Sequence, residues 1–134
     1  MTLDRPYSIL VTDDDPAARE TVREIFESAG YRHLLAESGE EAIDIAQQND
    51  IHLAVMDMHL PKLTGLETMA IVRQIKGIMP MILVSADHDD GLLRKALSAQ
   101  AYSVLSKPVS RQQLTSTVDA AMRRIYNWES NTLE

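Results

Sequence analysis

Short apolar runs alternate along this chain with longer stretches in which apolar residues recur at helical spacing. The runs cover residues 7–11, 33–36, 52–56, 81–84 and 102–105. The first, third and fourth are nearly continuous in Val, Ile, Leu and Met, which is typical of parallel strands covered on both faces. About five successive β/α units predict an α/β fold with a central parallel sheet and right-handed crossovers.

Several of the intervening stretches carry clear helix boundaries. Asp15 precedes Pro16, which is an N-cap residue followed by proline at the first helical position, and Gly30 ends the same helix. Three more starts have the spacing of a capping box, in which a hydroxyl residue precedes Glu or Gln by three positions: they begin at Ser38, Thr64 and Ser110. These signals support helices between the runs.

Composition narrows the class of protein. A chain of 134 residues with 45% hydrophobic content is the size of one globular domain. The absence of cysteine excludes disulfides, zinc–thiolate sites, iron–sulfur clusters and thiol nucleophiles. A formal net charge of -7 argues against direct binding of nucleic acid.

No apolar stretch approaches the roughly 20 residues that span a bilayer. The first residues contain no apolar segment typical of a signal peptide. We therefore expect a cytoplasmic protein that does not bind membranes.

Charged and hydroxyl side chains stand where the predicted strands end. Asp13 and Asp14 follow the first strand, Asp57 the third, Ser85 the fourth and Lys107 the fifth. Open parallel sheets bind ligands beyond the carboxyl ends of their strands. We therefore expect these side chains to meet at one edge of the sheet.

The acidic residues need compensation if they meet. Two carboxylates ~4 Å apart repel by roughly 4 kcal/mol at an effective dielectric constant of 20. They can take up protons, pair with Lys107 or bind a cation. Mg²⁺ suits the site because it needs only one or two carboxylates, with water and phosphate oxygens completing its shell. A bound cation would let Asp57 attack phosphorus as a nucleophile, while Lys107 and Ser85 bind phosphoryl oxygens.

Four segments resemble the receiver domains of two-component response regulators, and the resemblance extends from Tyr7 to about Tyr126. The segments are residues 9–16 (ILVTDDDP), 57–61 (DMHLP) with Gly65, 83–86 (LVSA) and 106–108 (SKP). Each segment is weakly specific alone, but the four occur in order and each lies at a strand end.

The resemblance implies a doubly wound, flavodoxin-like fold. Its sheet would have five parallel strands in the order 2-1-3-4-5, flanked by five helices. Residues 5–126 would form the receiver domain, and residues 127–134 a C-terminal tail or the start of a linker.

The resemblance also implies a phosphorelay function and roles for individual residues. Asp57 would be phosphorylated by a sensor histidine kinase or a histidine phosphotransfer protein. Mg²⁺ would be held by Asp14, Asp57 and the backbone carbonyl of His59, with Asp13 acting mainly through water.

The resemblance also implies which residues bind the phosphoryl group and which change position when it is bound. Ser85 and Lys107 would contact the phosphoryl group, and the bond between Lys107 and Pro108 would be cis. The family usually has Tyr or Phe at the position of Val104, where the ring turns inward as the hydroxyl corresponding to Ser85 moves toward the phosphate. Here either a smaller repacking around Val104 replaces that motion, or Tyr102 takes over, since strand alternation places Tyr102 on the same face.

Partners follow from the same resemblance. We expect a downstream protein target or a missing output domain, and the protein is not expected to be an enzyme beyond promoting its own phosphorylation and dephosphorylation. The face formed by the helix from about His88, the strand ending at Leu105 and the last helix is the expected surface for a partner or a homodimer.

Two alternatives remain open. A degenerate receiver would bind protein without phosphorylation. Val104 is compatible with this alternative because the family usually has Tyr or Phe at that position. A haloacid-dehalogenase-type phosphohydrolase also uses Asp, Mg²⁺ and Lys, but it needs a second acid two residues after the nucleophile, where this chain has His59, and a cap domain that we do not expect here.

Overall fold

The computed structural model describes residues 7–87 and 90–126, in which strands and helices alternate. The strands are β1 (Ser8–Thr12), β2 (Arg32–Ala36), β3 (Leu53–Asp57), β4 (Met81–Ser85) and β5 (Ser103–Ser106). The helices are α1 (Pro16–Ala29), α2 (Gly39–Gln48), α3 (Gly65–Lys76), α4 (Asp90–Ser98) and α5 (Arg111–Tyr126).

The five strands form one parallel sheet in the order β2-β1-β3-β4-β5. This confirms the predicted α/β class and strand order, and the described part of the chain contains the five expected helices. The predicted tail at 127–134 lies outside the described residues, as do positions 5 and 6 at the predicted start of the domain.

Helices cover both faces of the sheet. On one face, α2, α3 and α4 contribute small or flexible apolar residues such as Ala42, Met69 and Ala96 to a cluster with β1, β3 and β4. On the other face, α1 and α5 pack around Phe26 and Met122. Burial on both faces explains why the central strands are apolar throughout. Among the described helices, none combines the length and apolar character needed to cross a membrane.

The helix boundaries agree with their sequence signals. The side chain of Asp15 accepts a hydrogen bond from the Ala17 amide at the start of α1. Gly30 ends this helix with φ 85°, in the left-handed region where glycine carries no steric penalty. The capping box at Thr64 and Glu67 is complete.

The start of α2 differs from the prediction in one bond. Ser38 accepts from the Glu41 amide as expected, at 3.1 Å. The carboxylate of Glu41, however, accepts from the amide of Glu37 at 2.6 Å, one residue before the N-cap. The helix start is therefore capped, with the reciprocal bond shifted by one position.

The prediction that Tyr102 shares a face with Val104 is wrong. Val104 packs against the cluster under α2, α3 and α4, whereas Tyr102 packs against the cluster under α1 and α5. The reason is that β5 begins at Ser103, so strand alternation does not extend to Tyr102. The preceding Gln100 has φ 68°, and this left-handed turn reorients the chain just before the strand.

An aromatic cluster lies at the opposite end of the sheet from the acidic residues. Tyr7 and Tyr126 stack with ring centroids 5.3 Å apart, and the ring of His52 meets both edge to face. The amide of Ser8 donates to Nδ1 of His52 at 3.1 Å, and the hydroxyl of Tyr126 donates to the carbonyl of His52 at 2.6 Å. The cluster therefore fastens the end of α5 to the starts of β1 and β3.

Burial lowers the pKa of His52, with Lys76 and Arg32 acting in the same direction and Asp50 opposing them. A base whose pKa is lower in the folded protein binds protons more readily when unfolded. Its neutral ring therefore stabilises the fold above the ordinary histidine pKa of about 6.5, and this contribution is lost as the pH falls through the folded pKa.

We predict that His52→Asn removes this pH dependence. The Asn oxygen can still accept the Ser8 amide but does not titrate. The wild type should therefore lose stability relative to the variant as the pH falls from about 8 to about 5, across the ordinary pKa. Urea denaturation of both proteins measures the difference, and an unchanged difference across this range would contradict the assignment.

Candidate functional site

The carboxyl ends of the strands bring three acidic side chains together. One carboxylate oxygen from each of Asp13, Asp14 and Asp57 lies within 4.8 Å of the other two. Asp13 and Asp57 are each only 6% exposed, whereas Asp14 faces solvent. The cluster therefore has two buried acids at its base and one accessible acid at its mouth.

Lys107 joins the two buried acids. Its Nζ lies 2.9 Å from Oδ2 of Asp57 and 2.9 Å from Oδ2 of Asp13. Burial opposes the charged form of Lys107, but the hydrogen bonds to Asp57 and Asp13 prevail and raise its pKa above the ordinary value. One ammonium thus compensates part of the charge of three carboxylates, which leaves the cluster net negative.

Asp13 is held by its surroundings at four points. Its amide donates to the carbonyl of Ala36 in β2, and its Oδ1 accepts from the amide of Asp15 at 2.9 Å. Its carbonyl accepts from Nη1 of Arg19 at 2.7 Å, and its Oδ2 accepts from Lys107. These contacts fix the carboxylate before any ligand arrives.

Asp57 is fixed by the turn that follows β3. Its Oδ1 accepts from the amide of His59 at 3.0 Å, while Oδ2 accepts from Lys107. The start of α3 comes very close to this turn, since a Cβ on Gly65 would lie 2.2 Å from the carbonyl oxygen of Asp57. Only glycine fits this approach, which gives the Gly65 of the sequence motif a direct structural role.

Ser85 ends β4 and is 2% exposed. Its Oγ accepts from the amide of Asp87 at 3.0 Å and lies 3.4 Å from Nε2 of His59. The same Nε2 lies 3.1 Å from a carboxylate oxygen of Asp87. The exposed imidazole therefore lies across Ser85, in contact with Asp87, at the border of the acidic cluster.

The structure thus brings together most of the residues that the sequence singled out, and it adds two. Asp13, Asp14, Asp57 and Lys107 meet directly, while Ser85 and His59 border them, and the Lys107–Pro108 peptide bond is cis. Val104 lies beside Ser85 in a shared cleft, and Tyr102 packs on the other face of the sheet.

Sequence reasoning missed Arg19 and Asp87. Arg19 lies one helical turn after the N-cap of α1 and reaches back to the Asp13 carbonyl. Asp87 follows Ser85 by two residues and binds it through the backbone. Their closeness in sequence to predicted site residues was the available signal, but other polar residues are equally close.

The acidic cluster fits a hard divalent cation. Oxygen ligands from carboxylates are the type that Mg²⁺ prefers, and one or two suffice for it. The three oxygens lie close enough to share one ion, and the exposed Asp14 leaves room for water in the remaining positions. The donor set therefore suits Mg²⁺ better than metals that favour nitrogen or sulfur ligands.

Comparisons with known proteins bear on this geometry. A sequence profile described as "Response regulator receiver domain" matches residues 9–119. The chain belongs to the response regulator receiver domain family. This assignment agrees with the resemblance seen in the four sequence segments, and it places the protein among the components of two-component signalling.

Individual relatives agree with the family. The response regulator MprA of Mycobacterium sp. (strain KMS) is 34% identical over 119 residues, which cover 89% of this chain and 52% of that protein. The alkaline phosphatase synthesis transcriptional regulatory protein PhoP of Bacillus subtilis (strain 168) is 34% identical over 118 residues, covering 87% of this chain and 48% of that protein. The chain thus spans about half the length of these curated relatives.

Solved structures agree in fold. A response regulator receiver domain protein from Clostridium thermocellum superposes with a TM-score of 0.85 at 28% identity, covering 90% of this chain and 98% of that one. A CheY-like receiver domain protein from Methanospirillum hungatei JF-1 superposes with a TM-score of 0.86 at 24% identity, which supports a shared fold and nothing further.

The bridging role of Lys107 can be tested by Lys107→Gln, which keeps hydrogen-bond donors but removes the charge. The two buried carboxylates would then face each other without their shared cation. Removing one partner of a buried ion pair costs about 3–5 kcal/mol, and partial exposure reduces this to about 1–2 kcal/mol. Added Mg²⁺ should restore more stability to the variant than to the wild type, because it supplies the missing positive charge.

Urea denaturation with and without Mg²⁺ measures both effects. Lys62→Gln, at an exposed position before α3, is the matched control for losing one positive charge. Equal stability of Lys107→Gln and the control would show that the bridge contributes nothing, and the absence of an additional Mg²⁺ effect would count against a cation at this cluster.

Proposed function

We propose that this protein is a phosphoacceptor that receives a phosphoryl group on Asp57 from a sensor histidine kinase or a histidine phosphotransfer protein. The reaction depends on Mg²⁺, and the phosphorylated form differs in how it binds partners. One observation carries the proposal: the buried Asp57 carboxylate is fixed by Lys107 at 2.9 Å within a cluster of acids that suits a divalent cation.

The chemistry follows from the positions of the side chains. A carboxylate oxygen of Asp57 attacks the phosphorus of a phosphohistidine donor, a P–O bond forms and the P–N bond breaks. The bonding pair leaves with the donor nitrogen, which takes up a proton. Asp57 can act as a nucleophile because its orientation is already fixed by the amide of His59.

The negative charges of Asp57 and of the phosphoryl oxygens are compensated by the surrounding residues and by the proposed Mg²⁺. Asp14 and the backbone carbonyl of His59 are the remaining proposed ligands for Mg²⁺, and Asp13 acts mainly through water. Mg²⁺ held by these residues would screen the repulsion between the carboxylate and the phosphoryl oxygens. Lys107 exchanges its contact with Asp57 for a phosphoryl oxygen, and the hydroxyl of Ser85 donates to another.

The reverse reaction is hydrolysis of the acyl phosphate by water. His59 lies at the mouth of the site, where its exposed ring is held by Asp87 at 3.1 Å. A ring in this position limits the approach of water to the phosphoryl group. His59 therefore sets how long the phosphorylated state lasts.

The signal leaves the site through Ser85 and Val104. Ser85 responds to the phosphoryl group, and Val104 lies beside it in β5, half-buried against the cluster under α4. With valine at this position the response is a small repacking of β5 and α4. Tyr102 lies on the other face of the sheet, so it has no direct contact route to the motion of Ser85.

Partners bind the surface of α4, β5 and α5 in this proposal, either as a downstream protein or as a second copy of the chain. His88, the expected start of this face, lies outside the described residues. Because the chain spans about half the length of these curated relatives, an output domain within a longer protein is the other candidate target.

A degenerate receiver is the second candidate, and Val104 favours it because the family's aromatic residue is missing at that position. Such a protein would keep its fold and its surface but would not use Asp57 chemically. The phosphohydrolase alternative has no support at position 59, where a histidine stands in place of the required acid.

The deciding experiment is intact-mass analysis after treatment with acetyl phosphate and Mg²⁺. We predict that the wild type gains the mass of one phosphoryl group and that Asp57→Asn gains none. Chelation of Mg²⁺ should reduce the gain at least tenfold. No gain by the wild type would favour the degenerate receiver, and steady turnover of a small phosphomonoester would favour the phosphohydrolase.

A further inference from the structure

A cleft of about 260 Å³ lies between α4 and the ends of β4 and β5. Its apolar wall is made by Met58, Leu92 and Val104, and the buried Ser85 also lines it. Water in the liquid occupies about 30 Å³ per molecule, so the cleft holds several water molecules when nothing else fills it. Its size matches one large side chain better than a free cofactor.

Val104 is the residue that leaves this space open. Its side chain is half-buried and points toward the same face as Leu10, Met56 and Leu83. A ring at this position would occupy the cleft from within the chain. With valine, the apolar wall is complete, but none of the described side chains fills the volume beside it.

The apolar surface continues from the cleft onto α4. Leu93 lines the cleft and is 43% exposed, and Leu97, one turn further along α4, is 55% exposed. Large exposed apolar residues next to an open apolar cleft are typical of an interaction surface. This continuity indicates a partner that covers the helix as well as the cleft.

The rim of the cleft is acidic. Asp87 and Asp90 both line it and are both exposed. Asp87 is paired with His59 at 3.1 Å, so Asp90 is the carboxylate better placed to receive a charge from outside. A cation next to the inserted apolar group would complement this rim.

We propose that this cleft binds a segment of a partner protein that inserts one aromatic side chain beside Val104 and places a neighbouring Lys or Arg near Asp90. The inference rests on the proposed partner-binding role of the α4–β5–α5 surface and names the chemistry of the partner. Burial of an aromatic ring supplies the affinity, and the acidic rim selects a basic neighbour.

The absence of cysteine allows a direct test by disulfide tethering. Ser106 lines the cleft and is exposed, so Ser106→Cys places a single thiol at its edge. The probes are cystamine-linked phenylalanyl-lysine amide and the matched glycyl-lysine amide, presented with excess reductant. We predict about tenfold higher occupancy by the phenylalanyl probe, measured by intact mass without any phosphoryl donor.

Two substitutions added to Ser106→Cys, and one control variant with the thiol elsewhere, decide the interpretation. Val104→Phe fills the cleft and should abolish the preference for the phenylalanyl probe. Asp90→Asn should reduce occupancy by the phenylalanyl-lysine probe severalfold. A phenylalanyl-norleucine probe, which has no side-chain charge, should show the same occupancy with and without this substitution. Leu97→Cys places the thiol on α4 outside the cleft and should show little preference between the probes.

Equal occupancy by the two probes at Ser106→Cys, or an undiminished preference with Val104→Phe, would overturn the proposal. If Asp90→Asn still takes up the phenylalanyl-lysine probe in preference to the phenylalanyl-norleucine probe, the proposed selection of a basic residue by Asp90 is wrong. Because no phosphoryl donor is present, these results are independent of whether Asp57 accepts a phosphoryl group. The ¹⁵N–¹H spectrum of each variant verifies that it remains folded.

Discussion

The arrangement at the carboxyl edge of the sheet depends on one ammonium group shared by two buried carboxylates. Lys107 contacts Asp13 and Asp57 at equal distances of 2.9 Å. Without that bridge, two acids that are each 6% exposed would repel each other in a poorly hydrated pocket. With it, the pocket keeps more carboxylates than ammonium groups and holds Asp57 in a defined orientation.

The scaffold makes this bridge possible because it fixes each participant from a different strand. β1 delivers Asp13, β3 ends at Asp57 and β5 delivers Lys107, while Gly65 lets α3 start against the backbone of Asp57. A parallel sheet brings these ends to one edge whatever their separation along the chain. The opposite end of the sheet, at the starts of β1 and β3, is held separately by the aromatic cluster around His52. The two ends of the sheet therefore have different structural roles.

The fold and the central charges could be predicted from sequence because both follow from periodicity. Apolar runs marked the strands, and Asp57 and Lys107 stood where runs ended. Prediction was wrong for Tyr102 because strand alternation was extended to the residue before β5, which lies between the turn at Gln100 and the strand. Arg19 and Asp87 were missed because their roles depend on side-chain reach and on a single backbone bond, which spacing does not encode. The cleft beside Val104 is likewise a property of packed volume, visible only once α4 is placed.

Paramagnetic Mn²⁺ can show whether these strand ends form one cation-binding pocket, because Mn²⁺ takes the same oxygen ligands as Mg²⁺. In ¹⁵N–¹H spectra, substoichiometric Mn²⁺ should broaden the amide signals of residues 13–15 and 57–59 first and leave those of His52 and Tyr126 sharp. Excess Mg²⁺ should restore the lost signals. Broadening centred on other acidic residues, such as Glu20 and Glu24 on α1, or no selective broadening, would show that these strand ends do not form a shared cation site.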